Sequence, residues 1–338
     1  MKKIPGIIFC FAIALPAWFL GRIFPLIGGP VSAILAGILI SLFFPRLIKF
    51  EFGKGFAFAE GLKFTSKKLL QYSIILLGFD MNLFNIINAG RMSLAVMAFT
   101  FPAVFLMAFF AGRMLKLSGN TTVLIGVGTS ICGGSAIAAV APVIRAEDED
   151  VTRAISTIFL FNIMAVFIFP ALGRFMGMED VNFGIWAGTA INDTSSVVAA
   201  GSAWSNSAGN NTALYFAAIV KLTRTLMIVP ITLVLAIYTA GKSKKEGQGN
   251  FNFFRVFPWF VLFFMAAAIA NTFLNPPPGL SSALFQTGKF VIIMAMAAIG
   301  LNTNLKSLFS NGLRPLVLGC FCWLTVALVS IAVLRLAA

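Results

Sequence analysis

The chain has 338 residues, of which 59% are hydrophobic and only 11% charged, and its mean hydropathy is +0.95. That balance excludes a soluble globular domain and a disordered chain, and it points to an all-α polytopic membrane protein. The net charge of +14 does not imply a nucleic-acid partner, because the lysines and arginines sit in short stretches between apolar runs, where they set orientation in a bilayer.

Eleven apolar segments are long enough to span, at roughly 5–20, 30–45, 69–89, 92–112, 121–144, 154–173, 183–204, 212–240, 256–274, 283–303 and 315–334. The first follows a basic start and mimics a signal peptide. It lacks a small-x-small cleavage site and reads as a retained span. The basic stretch 46–68 is expected as a loop lying against anionic lipid. RAEDEDVTR, 145–153, reads as a solvated outer turn with local charge pairs. GKSKKEGQGN, 241–250, is a polar linker, and NPPPG, 275–279, is a stiff turn that cannot continue a helix. The chain therefore reads as one integral membrane domain, 1–338, in which a cytoplasmic linker, 241–255, joins an N-terminal portion, 1–240, to a C-terminal portion, 256–338.

Assigning the loops alternately to two sides places seventeen basic residues, Arg174 among them, with the N-terminus. Five lie opposite (Arg22, Arg91, Arg145, Arg153 and Arg335), and Lys221, Arg224 and Lys289 fall inside segments. This asymmetry predicts a bacterial inner-membrane protein with its N-terminus in the cytoplasm and its C-terminus outside.

Two segments carry polar centres. The stretch 188–200 reads GTAINDTSSVVAA and holds Asn192, Asp193, Thr194 and Ser195 in a row. An aspartate inside a bilayer costs roughly 2.5 kcal/mol or more, so it marks a functional site by default. Sixty residues earlier, 128–140 reads GTSICGGSAIAAV. Gly128, Thr129, Ile131 and Ser135 are identical to Gly188, Thr189, Ile191 and Ser195, and Cys132, Gly133 and Gly134 stand opposite Asn192, Asp193 and Thr194. Small residues alone would allow close helix packing. The functional expectation is two interrupted helices whose free backbone groups line a cavity.

A second similarity joins 76–90 to 298–312, with Gly78/Gly300, Asn82/Asn304, Leu83/Leu305 and Gly90/Gly312 matched. It connects the third and tenth segments, an odd separation, as an inverted repeat requires. The pair sixty apart lies two segments apart and is parallel on this count. The longer offset is therefore taken for architecture and the shorter for the site.

The eighth segment contains Lys221 and Arg224, three apart and so on one helix face, too deep to reach either interface easily. They either neutralise Asp193 and tie helices together, or present positive charge to an anion. Asp193, Lys221 and Arg224 are expected to converge on one cavity at mid-depth, because separate ionised groups facing lipid would each be costly. Asp80 is read as paired with water or Arg91, and Lys289 as reaching an interface.

Residue types bound the chemistry further. Histidine is absent, so it can serve neither as proton carrier nor as metal ligand. Cys10, Cys132, Cys320 and Cys322 have no ligand spacing and read as small apolar fillers. HExxH, GxSxG and GxxxxGK[ST] are all missing, so neither an enzyme nor an ATP-driven pump is expected, and no metal site or cofactor beyond a coupling ion, sodium or a proton. A Ser195–Lys221 dyad is the enzymatic alternative left open.

At GTSICGGSAI, GTAINDTSSVVAAG and VKLTR, together with the LGFDMNL region, the chain resembles the YeiH-like family, named for sulfate export. The resemblance covers most of the chain. That family is grouped with the cation–proton antiporter and bile-acid transporter superfamily. The resemblance implies inverted repeats, two crossing unwound helices and an elevator-like transporter. The family pattern often has histidine before the aspartate of the second motif; Asn192 stands there, so a histidine-borne proton role is missing. The expected function is secondary transport of a small anion, a sulfate- or sulfonate-like oxyanion. Thr129, Ser130, Cys132, Gly133, Gly134 and Ser135 would face Asn192, Asp193, Thr194 and Ser195, with Lys221 and Arg224 attracting the anion. The alternative is a sodium or proton antiporter with Asp193 as carrier. Expected partners are the anion and the lipid bilayer, not nucleic acid, and a homodimer is compatible with the sequence.

Overall fold

The structure, a computed structural model, describes residues 3–23, 28–44, 58–228, 230–231, 234–235, 259–274, 276–303 and 312–337. The linker expected at 241–255 and most of the second copy of the longer repeat, 304–311, lie outside the described residues. All regular structure among the described residues is helical.

One bundle is built from the N-terminal helices and two helices that precede the last one. It contains α1 (Ile4–Ile23), α2 (Gly28–Phe43), α3 (Ala59–Phe64), a π-helical turn at Thr65–Leu69, α4 (Leu70–Leu77) and a 3-10 turn at Gly78–Asp80. The stretch expected as a basic loop is thus helical from Ala59 onward. It packs tightly on α1 through Gly61, where an added Cβ would meet the Lys3 carbonyl oxygen and the Gly6 Cα. Two later helices, α12 (Trp259–Leu274) and α13 (Pro278–Asn302), complete this bundle. The turn between them is the proline-rich stop read from the sequence, with Pro278 opening α13.

The third and fourth expected spans need correction. The chain leaves the helix at Met81, which is extended with φ −107° and ψ 145°. Then α5 runs unbroken from Leu83 to Met114, with the Asn82 side chain accepting the Phe84 N–H at 2.8 Å as its N-cap. Arg91 therefore sits inside a helix, not in a loop.

The second bundle holds α5, α6 (Gly119–Ser130), α7 (Gly134–Val140), α8 (Asp148–Phe175), α9 (Asp180–Ala190), α10 (Thr194–Ala208), α11 (Thr212–Leu226) and α14 (Leu313–Ala337). Two expected spans in it, 121–144 and 183–204, do not run straight through: each folds back on itself. A Cβ on Gly128 of α6 would lie 2.9 Å from Ile137 of α7. Residues nine apart in a straight helix are separated by about 13 Å, so the chain has reversed between them. The base of this hairpin is fixed by Asp150, near the start of α8, which accepts from Ser118 at 2.6 Å and from the Thr121 hydroxyl. Further along, Gly128 packs on Ile158. So α6 and α8 run in the same direction from a common end.

The second hairpin starts at the other end of α8. Phe183 of α9 stacks on Trp204 of α10 with ring centroids 4.0 Å apart. Gly173, in the last turn of α8, packs on both. Gly184 and Gly188 of α9 press on Ala213–Ala217 and Ala217–Val220 of α11, so those helices run parallel as well. The two hairpins thus approach from opposite ends of one helix, α8. The pair sixty residues apart is therefore antiparallel, and the parallel reading of it is corrected: a returning segment does not change sides.

Among the described residues, five helices are long and apolar enough to cross a membrane: α1, α5 from Ile86, α8 from Glu149, α13 from Gly279 and α14 up to Leu336. Helices α2 and α12 are apolar but shorter. The acidic stretch 145–153 holds the local charge pair expected of it, but not all of it is solvated. Arg153 pairs with Glu149 at 2.5 Å on the first turns of α8, while Asp150 is buried at the hairpin base.

Candidate functional site

The hairpin tips meet halfway along α8. The Asp193 backbone N–H donates to the side-chain oxygen of Asn162 at 3.1 Å. Gly133, at the other tip, has φ +67°, a conformation that glycine adopts without strain. A Cβ there would lie 3.6 Å from both the Asn162 amide nitrogen and Asp193. Asn162 was not singled out in the sequence, although a lone asparagine centred in the apolar run 154–173 was its signal.

Each tip exposes the C-terminal end of a half-helix, α6 or α9. The last carbonyls of a helix have no intrahelical donor, and they form the negative end of its dipole. Lys221 and Arg224, one turn apart on α11 and fully buried, answer this need. The Lys221 ammonium donates to the carbonyls of Ile131 at 2.9 Å, Ile191 at 3.1 Å and Asn192. The Arg224 guanidinium donates from Nε to Ser130 and from Nη2 to Thr129. One helix thereby clamps both tips.

Of the two roles open to the cations, a direct hydrogen-bonded pairing with Asp193 is not made. Asp193 lies at the same junction, but its carboxylate is not the partner of either cation. It accepts from the Ser195 N–H at 3.0 Å and from the Ser195 hydroxyl, capping α10 at its positive end. The Ser195 hydroxyl and the Lys221 ammonium are thus directed to different groups.

Several polar atoms at the junction are buried without a hydrogen-bond partner among the described residues. They are Nη1 of Arg224, both side-chain polar atoms of Asn192 and the hydroxyl of Thr129. Leaving such a group unmade costs about 1–3 kcal/mol, and more for a charged one. Ser130 is instead satisfied locally, donating to the Gly126 carbonyl at 2.7 Å, and Cys132 is buried as apolar filler. The opposite face of the tips is open. Gly134, Asp193 and Thr194 are half-buried, Ser135 is exposed, and no atom lies within 4 Å of a Cβ built on Gly134.

A second polar cluster links the two bundles. The Tyr215 hydroxyl on α11 donates to Asp80, and its ring lies 5.6 Å from that of Phe285 on α13. Lys289 on α13 reaches the side-chain oxygens of Asn206 at 3.4 Å and Asn211 at 3.3 Å. Asp80 therefore pairs with Tyr215, not Arg91, and Lys289 turns into the protein.

The family model described as "Conserved hypothetical protein 698" matches residues 5–319. A UPF0324 membrane protein of Streptococcus pyogenes serotype M18 is 47% identical over 337 residues, covering 98% of this chain and 96% of the relative. The chain belongs to the UPF0324 membrane protein family. A UPF0324 relative from Streptococcus mutans is 46% identical over 341 residues, covering 99% of this chain and 97% of its own length. One from Fusobacterium nucleatum is 45% identical over 350 residues, covering 99% and 98%. No solved structure matches. The family membership and the apolar helices together make this UPF0324 chain a multi-pass membrane protein.

Proposed function

We propose that this protein is a secondary transporter of a small oxyanion, sulfate- or sulfonate-like, and not an enzyme. The observation that carries the reading is the set of unmade hydrogen bonds on Arg224, Asn192 and Thr129 at the meeting point of two hairpin tips. Nη1 of Arg224 and Nδ2 of Asn192 are donors suited to an oxyanion, and the guanidinium presents its donors in a planar fork. Two buried cations against one carboxylate leave a net positive charge at the junction. Thr194 and Ser135 lie on the open side, through which an anion would enter.

The hairpin geometry supports a chain that crosses the inner membrane nine times, with 121–144 and 183–204 re-entrant rather than spanning. The charge distribution fits this better than eleven crossings. Both ends of the first hairpin then lie in the cytoplasm and both ends of the second outside. Arg145 and Arg153 join the basic side, Arg174 leaves it and Arg91 drops out of the loops, giving eighteen to three. The termini keep the orientation expected, cytoplasmic for the first residue and outside for the last. Opposed hairpins on one bundle, packed against a second bundle, support alternating access by movement of the first against the second.

The test is uptake of labelled sulfate into proteoliposomes by the wild type and by Arg224→Gln and Asn192→Ala. Loss of uptake in folded variants supports the reading. Full uptake in both would sink the anion site and move an Asp193-based antiporter, favoured by that carboxylate's partial exposure, into first place.

A further inference from the structure

We infer that the carbonyl cage between the hairpin tips is a monovalent-cation site permanently filled by the ammonium of Lys221, so that the folded protein needs no sodium. The donor set is the reason. Three backbone carbonyl oxygens, from Ile131, Ile191 and Asn192, converge on one point from two different tips. Each belongs to the C-terminal end of a half-helix, and unwound carbonyls at such ends are what hold alkali cations in membrane transporters. The ligands are neutral, so the cage suits a single positive charge. An ammonium has three donors, and Lys221 spends them on these three acceptors.

The tether changes the chemistry. A free cation arrives from solution, stabilises the tips by its concentration and leaves with the cargo or ahead of it. Lys221 is fixed to α11 and completely buried, so the tips stay closed on it at any external sodium concentration. Arg224 fills the neighbouring carbonyls of Thr129 and Ser130, and two fixed positive charges a turn apart oppose entry of a third cation. The carboxylate of Asp193, which could otherwise ligate a cation, is turned to Ser195. The inference deepens the anion reading, since a site with resident cations attracts an anion without a co-bound metal ion.

The experiment is thermal melting of purified wild type, Lys221→Ala and Lys221→Met in choline, sodium and propylammonium chloride at matched ionic strength. Propylammonium replaces the atoms that alanine removes. The wild type is expected to melt identically in all three salts. Lys221→Ala should melt lower in choline and recover by roughly 3 °C or more in propylammonium or sodium, saturably, as mass action requires. Lys221→Met fills the space without charge and should show no recovery. Indifference of folded Lys221→Ala to every cation, whatever its stability in choline, overturns the inference. If Lys221→Ala yields no folded protein in any salt, the wild type decides. A melting point raised by sodium over choline shows that a free cation is needed and overturns the inference, and equality supports it. None of these readouts depends on transport, so absent sulfate uptake with the expected melting pattern would refute the transport reading alone.

Discussion

Asp180 accepts a 2.7 Å hydrogen bond from the indole N–H of Trp204, although twenty-four residues separate them. A straight helix would place them about 36 Å apart. The bond closes the base of the second hairpin, and Asn210 adds a donor to the same carboxylate at 2.7 Å. Asp150 has the corresponding role in the first hairpin through Ser118 and Thr121. Asp180→Asn and Asp150→Asn are each expected to destabilise the protein by about 1.5–3 kcal/mol, the range for hydrogen bonds to a charged partner. Thermal melting in detergent checks this. Unchanged melting in both would mean that the bases hold without these carboxylates.

The return of the hairpins has a direct topological test. After replacement of Cys10, Cys132, Cys320 and Cys322, single cysteines at Lys116 and Glu147 should label from the same side of the membrane with an impermeant maleimide. Cysteines at Met178 and Asn210 should both label from the opposite side. If Lys116 and Glu147 label from different sides, the first hairpin crosses the bilayer and the nine-crossing topology is lost.

Arg224 uses its planar fork on two successive carbonyls, Thr129 and Ser130, and keeps one nitrogen for other use. Lysine cannot do both. Arg224→Lys should therefore fold, with sulfate uptake reduced roughly tenfold or more, about the loss of one charge-assisted bond. Because Asp193 caps its own helix, Asp193→Asn should not restore stability to Arg224→Gln. Restoration in the double variant would show that the two side chains are paired after all.

Tyr215 and Asp80 join the hairpin bundle to the other bundle. If transport moves one bundle against the other, this bond must break in each cycle. Tyr215→Phe should change the uptake rate severalfold while shifting melting little, and Lys289→Met should act in the same way. Equal loss of rate and stability would make the contact merely structural.

Much of the site was legible in the sequence, and its wiring was not. Asn192, Asp193, Lys221 and Arg224 stand out because polar and charged groups inside apolar runs are costly. The side chains do meet at one junction. What hydropathy cannot encode is whether an interrupted apolar run of about twenty residues crosses a bilayer or returns. Both choices bury the same residues. The turn depends on Gly133 and on base contacts such as Asp150 with Thr121, which are distant in sequence. The partners of the two cations were illegible for a related reason. Counting side chains suggests that lysine seeks aspartate, whereas a helix end supplies carbonyls that no residue list displays. The break at Met81–Asn82 was missed because the apolar run continues through it.

The clamp on α11 also fixes a timetable. Ile131 leaves the ribosome ninety residues before Lys221, the side chain that satisfies its carbonyl. At synthesis rates of about 5–20 residues per second, that interval is roughly 5–18 s. During it the first hairpin carries unsatisfied carbonyls that hydrocarbon tolerates badly, each at a cost of several kcal/mol. The hairpin must therefore wait at the lipid–water boundary or inside the insertion machinery, and settle only when α11 arrives. Biogenesis of this protein is thus an ordered event in which a late helix completes an early one, and a nascent chain stopped before Lys221 holds the first half of the junction without its latch.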